Sequence, residues 1–218
     1  MRPLTTTGLL RPWLEQQRRE LGEALPQVAV PRQVHVARVR IRRLRSVVSA
    51  YRVYLPDEVV DLGPGWQRLA RGLSPLRDVD VIAELLRQRG IDEYADHLHR
   101  ERERRLAEAR GAVTHRRTRR LLDAWDAAVT GPDWPAGGWA VEAAEKVTAR
   151  ERARLAKRAD SDPHDLRKAA KRARYAAEVV ADIYEPAAAL AASAQRIQAR
   201  VGARLDARML EAWLADKG

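Results

Sequence analysis

The stretch His35-Val-Ala-Arg38-Val-Arg40-Ile41-Arg42-Arg43-Leu44-Arg45-Ser-Val-Val48-Ser-Ala-Tyr51 carries arginine at five of its first eleven positions and contains no acid. At about 100° per residue, His35, Arg38, Arg42 and Arg45 fall within an arc of about 80°, while Ala37, Ile41, Leu44, Val48 and Tyr51 gather on the opposite side. A helix built from this stretch has a core face and a cationic face. The first must be buried, and the second needs an explanation.

The rest of the composition fits an all-α protein. The chain has 218 residues, 45% of them hydrophobic, which is enough to bury a proper core. Leucine, alanine, arginine and glutamate dominate, aromatics make up 5%, and phenylalanine is absent, a balance that favours long amphipathic helices packed into bundles. The net charge of +11 is a standing self-repulsion, of the kind kept where an anionic partner is to be bound. With no cysteine, disulfides, thiol nucleophiles and cysteine-ligated zinc are excluded. No run of about 18 apolar residues is present, and Arg11 interrupts the short apolar run near the start, so neither a membrane span nor a signal segment is expected and the expected location is cytoplasmic.

Taken in order, Thr5 to Thr7 cap a first helix that ends near Gly22 to Pro26. Pro31 opens the basic helix, which runs to about Tyr54 before Pro56. Trp66 to Leu73 follows. Ser74-Pro75 then reads as an N-cap and first helical position opening Leu76 to Arg89, with Gly90 closing it. The charged segment from Ile91 to Arg110 and the helix from Thr114 to Thr130 read as a hairpin broken at Gly111. Gly131-Pro-Asp-Trp-Pro-Ala-Gly-Gly138 is the strongest breaker cluster. Helices follow over Trp139 to Ala159, Asp162 to Tyr184, Ala187 to Arg200 and Ala203 to Ala215, and no strand is expected.

The opening stretch has a second copy. His164-Asp-Leu-Arg167-Lys168-Ala-Ala-Lys171-Arg172-Ala-Arg174-Tyr175 lies 129 residues on and matches His35, Arg38, Arg42, Arg43 and Arg45 with His164, Arg167, Lys171, Arg172 and Arg174. The phase of the two faces recurs as well. Downstream, Leu73-Ser-Pro-Leu-Arg77-Asp78-Val-Asp80 aligns with Val201-Gly-Ala-Arg-Leu205-Asp206-Ala-Arg208 at an offset of 128, and Asp78 and Asp206 are the shared acids. The chain is therefore read as one domain over 1–218, with repeats over about 6–89 and 135–218 and the hairpin of 90–134 between them. Two like halves suggest a pseudo-two-fold arrangement in which the basic faces share one groove.

These elements resemble the CHAD domains, α-helical domains named for their histidines. The resemblance rests on His35-x-x-Arg38-Val-x-x-Arg42-Arg43-Leu44-Arg45, on Arg77-Asp78-Val-Asp80-Val81, and on His164-Asp-Leu-Arg167-x-x-x-Lys171-Arg172-x-Arg174-Tyr175-x-x-Glu178, and it covers nearly the whole chain. It implies two pseudo-symmetric antiparallel helical bundles around a basic central groove that binds inorganic polyphosphate. It also implies that the histidines, with the neighbouring arginines and lysines, line the anion site. Ser74 stands where a Leu-Gly turn is common, and Leu205 and Arg208 replace an arginine and a second acid of the downstream motif.

The chemistry of the residues agrees with that expectation. Polyphosphate is a row of oxyanions, and arginines at i, i+4 and i+7 present a row of planar forks that stay charged. Proline at 31 and 163 puts each histidine in a first helical turn, where free N–H groups also favour anions. The candidate polyphosphate ligands are His35, Arg38, Arg42, Arg43, Arg45, His164, Arg167, Lys168, Lys171, Arg172, Arg174 and Tyr175. Tyr175 is divided between donating its hydroxyl to phosphate and packing. Protonation of the histidines is expected to strengthen binding below about pH 6.5. Asp78, Asp80 and Asp206 read as caps or arginine partners, so no metal site and no cofactor are expected.

No phosphate-cradling glycine loop, nucleophile elbow or HExxH is present, and binding without catalysis is expected. The expected partners are polyphosphate, its granules or the enzymes that metabolise it, with no membrane partner. Nucleic-acid binding is the main rival, weakened by the lack of stacking aromatics along the basic stripes. An electrostatic adaptor for an acidic protein is the other.

Overall fold

The computed structural model describes residues 4–217. Among these the regular structure is helical: α1 (Thr6–Ala24), α2 (Pro31–Tyr51), the short α3 (Asp57–Asp61), α4 (Gly63–Gln88), α5 (Ala95–Thr114), α6 (Arg116–Thr130), α7 (Ala140–Ala156), α8 (Pro163–Glu178) and α9 (Glu185–Ala215). A single isolated bridge joins Thr5 to Trp139. The fold is all-α, as the composition requires.

α1 begins where expected, with the Thr5 hydroxyl accepting the Gly8 N–H at 3.1 Å. The buried Thr6 then ties this end to the loop before α7, donating from both its N–H and its hydroxyl to the Gly138 carbonyl. α2 starts on Pro31 and buries Ala37, Ile41, Leu44, Val48 and Tyr51, the apolar arc of the sequence. It packs against α1, α4 and α8.

Three breaks read from sequence are absent. Ser74-Pro75 lies inside one continuous α4, because the Ser74 hydroxyl donates back to the Ala70 carbonyl at 2.9 Å instead of capping a new helix. Pro75 forfeits one backbone bond, and the burial of Leu73 and Leu76 on either side holds the helix together. α5 runs through Gly111, and the chain turns instead at His115, whose Nδ1 accepts the Arg117 N–H at 3.0 Å and caps α6. α9 runs through Gly202, a buried packing position rather than a stop. Each case follows one rule: tertiary burial outweighs a local breaker worth about 1–3 kcal/mol.

Like elements meet across the molecule, with α1 touching α7, α2 packing on α8, and α4 touching α9. The main core is continuous and draws on both ends of the chain, from Leu10 and Ile41 through Trp66 and Trp125 to Ala173 and Leu190. A second cluster of Ile82, Leu86, Leu98 and Leu210 joins the far ends of α4, α5 and α9.

Two glycines separate packing from propensity. A Cβ at Gly72 in α4 would lie 2.6 Å from the Cβ of Ala112 on α5, an atom fixed to backbone, whereas one at Gly111 meets nothing within 4 Å. Overpacking costs about 1–3 kcal/mol, against a gain of about 1 kcal/mol for alanine over glycine inside a helix. Gly72→Ala is therefore expected to lower the denaturant midpoint and Gly111→Ala to raise it. Stabilisation by both would show that α4 and α5 do not approach this closely.

Candidate functional site

Because α2 and α8 pack through their apolar faces, their cationic faces are brought side by side. Ile41 and Leu44 on α2 and Ala170, Ala173 and Ala177 on α8 are all buried, and the Tyr51 hydroxyl donates to the Ala176 carbonyl at 2.9 Å. The result is a groove in which His35, Arg38 and Arg42 of α2 meet Arg167 and Lys171 of α8, with Arg77 of α4 closing one side. The countercharges facing them are Asp78, beside Arg38, and Asp206, beside Lys171.

The electrostatics carry the mark of this crowding. Burial, then Arg42 and Arg167, push the Lys171 ammonium down to about 7, with Asp206 pulling the other way. Partial burial, then Arg77, Arg42, Arg38 and Lys171, lower the His35 imidazole below its ordinary value. Burial also disfavours the charged form of Arg38, opposed by Asp78 and reinforced by Arg42 and Arg77. His35 therefore gains its charge at lower pH than the sequence suggests. Among the groove lysine and arginines, Lys171 is the one whose titration is brought close to neutrality.

The two halves hold their arginines in the same way. Arg38 donates to the Ser74 hydroxyl and to the Ala70 carbonyl of α4 at 3.4 Å, beside Asp78. Arg167 lies over Gly202 of α9, where a Cβ would sit 3.2 Å from its Nη2, and it pairs with Asp206 at 3.3 Å. Positions 74 and 202, and 78 and 206, are the pairs aligned by the internal repeat. A small residue lets each guanidinium lie against the long helix, and the acid one turn on orients it.

The remaining sequence candidates divide. Arg45 is exposed beside Arg71 and Arg42 and lines a cleft of about 250 Å³ between α2 and α4 with Arg38 and Arg71. His164 is exposed in the first turn of α8, its N–H held by Asp162 at 2.8 Å. Lys168 is exposed and paired with Asp165.

Arg43, Arg174, Tyr175 and Arg172 are engaged by other partners in the structure. Arg43 and Arg174 both bond Glu178, at 2.5 and 2.6 Å, and stack over the ring of Tyr175 at 5.7 and 5.8 Å. Tyr175 itself is 4% exposed, so its role is packing. Arg172 bonds Glu151, a carboxylate 1% exposed that also takes Arg154, with Arg150 alongside. In a helix, register alone places Arg172 and Arg174 near the basic arc. It also shows Glu178 one turn beyond Arg174, but gives no sign of Glu151, 21 residues before Arg172 on another helix.

Sequence reasoning missed Arg71 and Arg77 as site residues. Arg77 was visible in the Arg77-Asp78-Val-Asp80 element, but its facing toward α2 depends on α4 being one unbroken helix. Asp80 is an arginine partner: it bonds Arg102 at 2.8 Å, and Arg102 reaches on to the Ala29 carbonyl, tying α5 to the α1–α2 loop.

By class, the fold is an all-helical domain with a cationic groove between α2 and α8. The chain belongs to the CHAD domain family, whose model matches residues 10–215. Among solved structures it is similar to the CHAD domain from the plant Ricinus communis, with a TM-score of 0.80, 22% identity, and coverage of 98% of this chain and 79% of that one. It is also similar to PptA from Streptomyces chartreusis, with a TM-score of 0.65, 17% identity, and coverage of 95% and 96%. At these identities the likeness is one of fold. Comparison with curated proteins finds no match.

The corrected assignment of Arg172 separates structure from binding. Removing the Glu151 carboxylate leaves three arginines without it, and Glu151→Ala is expected to cost about 3 kcal/mol, the low end for breaking a buried pair because the arginines keep partial access to water. Arg172→Ala is expected to lower stability and leave anion affinity within about twofold. A large affinity loss in Arg172→Ala at unchanged stability would return it to the groove.

Proposed function

We propose that this protein binds inorganic polyphosphate, without catalysis, in the groove between α2 and α8. The observation that carries this is the collection of Arg38, Arg42, Arg77, Arg167 and Lys171 beside His35, with Asp78 and Asp206 as the acids among them. Like charges crowded into a partly buried groove repel one another. A fold that holds several of them is less stable for it, and a polyanion laid along the groove turns that repulsion into attraction.

The site chemistry favours phosphate chains over nucleic acid. The aromatic side chains beside the basic helices are turned inward: Tyr51 and Tyr175 are buried, and Trp13 packs against the core under Arg43. A single strand seeking stacking platforms finds none there. Among the described residues no helix is long and apolar enough to cross a membrane. A cytoplasmic setting, in contact with polyphosphate granules or the enzymes that act on them, belongs to the same proposal.

Competition tests it. A fluorescent long-chain polyphosphate is expected to bind tightly and to resist displacement by single- or double-stranded DNA at equal phosphate concentration. Arg42→Ala with Lys171→Met is expected to weaken binding by roughly a hundredfold, as for the loss of two charge-assisted contacts, with helicity unchanged. Equal displacement by DNA, or an unchanged affinity in the variant, would overturn the reading. The pH dependence has a defined sign. The anion raises the Lys171 pKa from about 7, so binding takes up a proton and affinity falls as pH rises through and above that value. Lys171→Arg should flatten this fall.

A further inference from the structure

The sequence Arg116-Arg117-Thr118-Arg119-Arg120 opens α6 far from the groove. Thr118 turns inward and donates to the Ala112 carbonyl at 2.7 Å, which leaves the four arginines outside and exposed. None of them makes an ion pair among the described residues, and the first turn of α6 holds no acid. Positive charge at this end of a helix opposes the helix dipole. The fold therefore gains nothing from these arginines, although α6 is held by the burial of Leu121, Trp125 and Val129.

A furrow lies between them and α4. Two cavities of about 250 and 360 Å³ share Gly65, Arg68, Arg117 and Leu121 in their linings, and His115 and Arg120 extend them. Gly65 allows the close approach, since a Cβ there would stand 2.7 Å from Leu121 Cδ1. Asp61 is the one carboxylate in the lining. At Pro64 the furrow meets a cavity of about 320 Å³ between α2 and α4, which shares Arg45 and Gln67 with the cleft holding Arg38, Arg42 and Arg71. A basic path thus runs from the groove, over α4, to α6. From Ser74, which Arg38 touches, to Gly65 the helix rises by about 14 Å.

We propose that the furrow between α4 and α6 is a second phosphate-binding site, filled by a long polyphosphate chain that leaves the α2–α8 groove and crosses α4 over Arg71 and Arg68. This rests on the reading of the groove as a polyphosphate site. A short chain occupies the groove alone, and a long one engages both.

The test compares inorganic tripolyphosphate with a long-chain polyphosphate on three full-length proteins: the parent, the furrow variant Arg68→Ala/Arg117→Ala/Arg120→Ala, and the groove variant Arg42→Ala/Lys171→Met. The three substituted arginines are exposed, and circular dichroism checks that the fold is kept. The furrow variant is expected to lose roughly tenfold or more in affinity for the long chain, with a shallower salt dependence, and to bind tripolyphosphate as the parent does. Parental affinity for the long chain, or an equal loss for both lengths, overturns the second site. The groove variant is expected to lose both ligands. If it binds tripolyphosphate like the parent, the groove reading fails and the second site falls with it.

Discussion

The structure depends on one piece of packing, the apolar face of α2 laid on the apolar face of α8. Each buried Ile41, Leu44 or Val48 contributes about 1.5–3 kcal/mol, and the Tyr51 hydroxyl finds its partner in the backbone of α8. The basic residues follow the same helices at a fixed angle, so this burial obliges Arg38 and Arg42 to face Arg167 and Lys171. Repulsion among them costs a few kcal/mol for each close pair, which the core can bear. The cationic groove is thus a consequence of the core, held in place by forces that its own charges oppose.

Around that packing, the two halves solve one problem twice. An arginine on the basic helix is laid across the long helix at a residue too small to obstruct it, Ser74 for Arg38 and Gly202 for Arg167, and an acid one turn on steadies it. Those contacts fix guanidinium planes that would otherwise swing freely, which lowers the entropy lost when an anion binds. Glu178 and Glu151 do different work. They gather Arg43, Arg174 and Arg172 into ion pairs that join α8 to α2 and α7, apart from the arginines that face the groove.

Much of this was legible in the chain. The amphipathic phase of His35 to Tyr51 and its recurrence at His164 sufficed for the all-α class and the core residues of α2, and they suggested that the two basic faces share a groove. Breakers misled: Ser74-Pro75, Gly111 and Gly202 carry the local chemistry of helix ends, yet each is overridden by burial on neighbouring helices, which no local window contains. The same limit applies at the site: the Arg174–Glu178 pair is an i, i+4 contact that the sequence offers, whereas Glu151 lies 21 residues before Arg172, and only the packed structure brings the two together. Arg77 was missed because its side of α4 is set by the continuity of that helix.

The central claim is that the crowded cations between α2 and α8 are held there for a phosphate chain. It is tested most directly by a crystal structure of the protein grown with tripolyphosphate. The account predicts phosphate oxygens within hydrogen-bond distance of Arg42 and Lys171, between the two helices and flanked by Arg38 and Arg167. Phosphate bound only elsewhere on the surface, with the groove filled by water and Lys171 turned away, would contradict it.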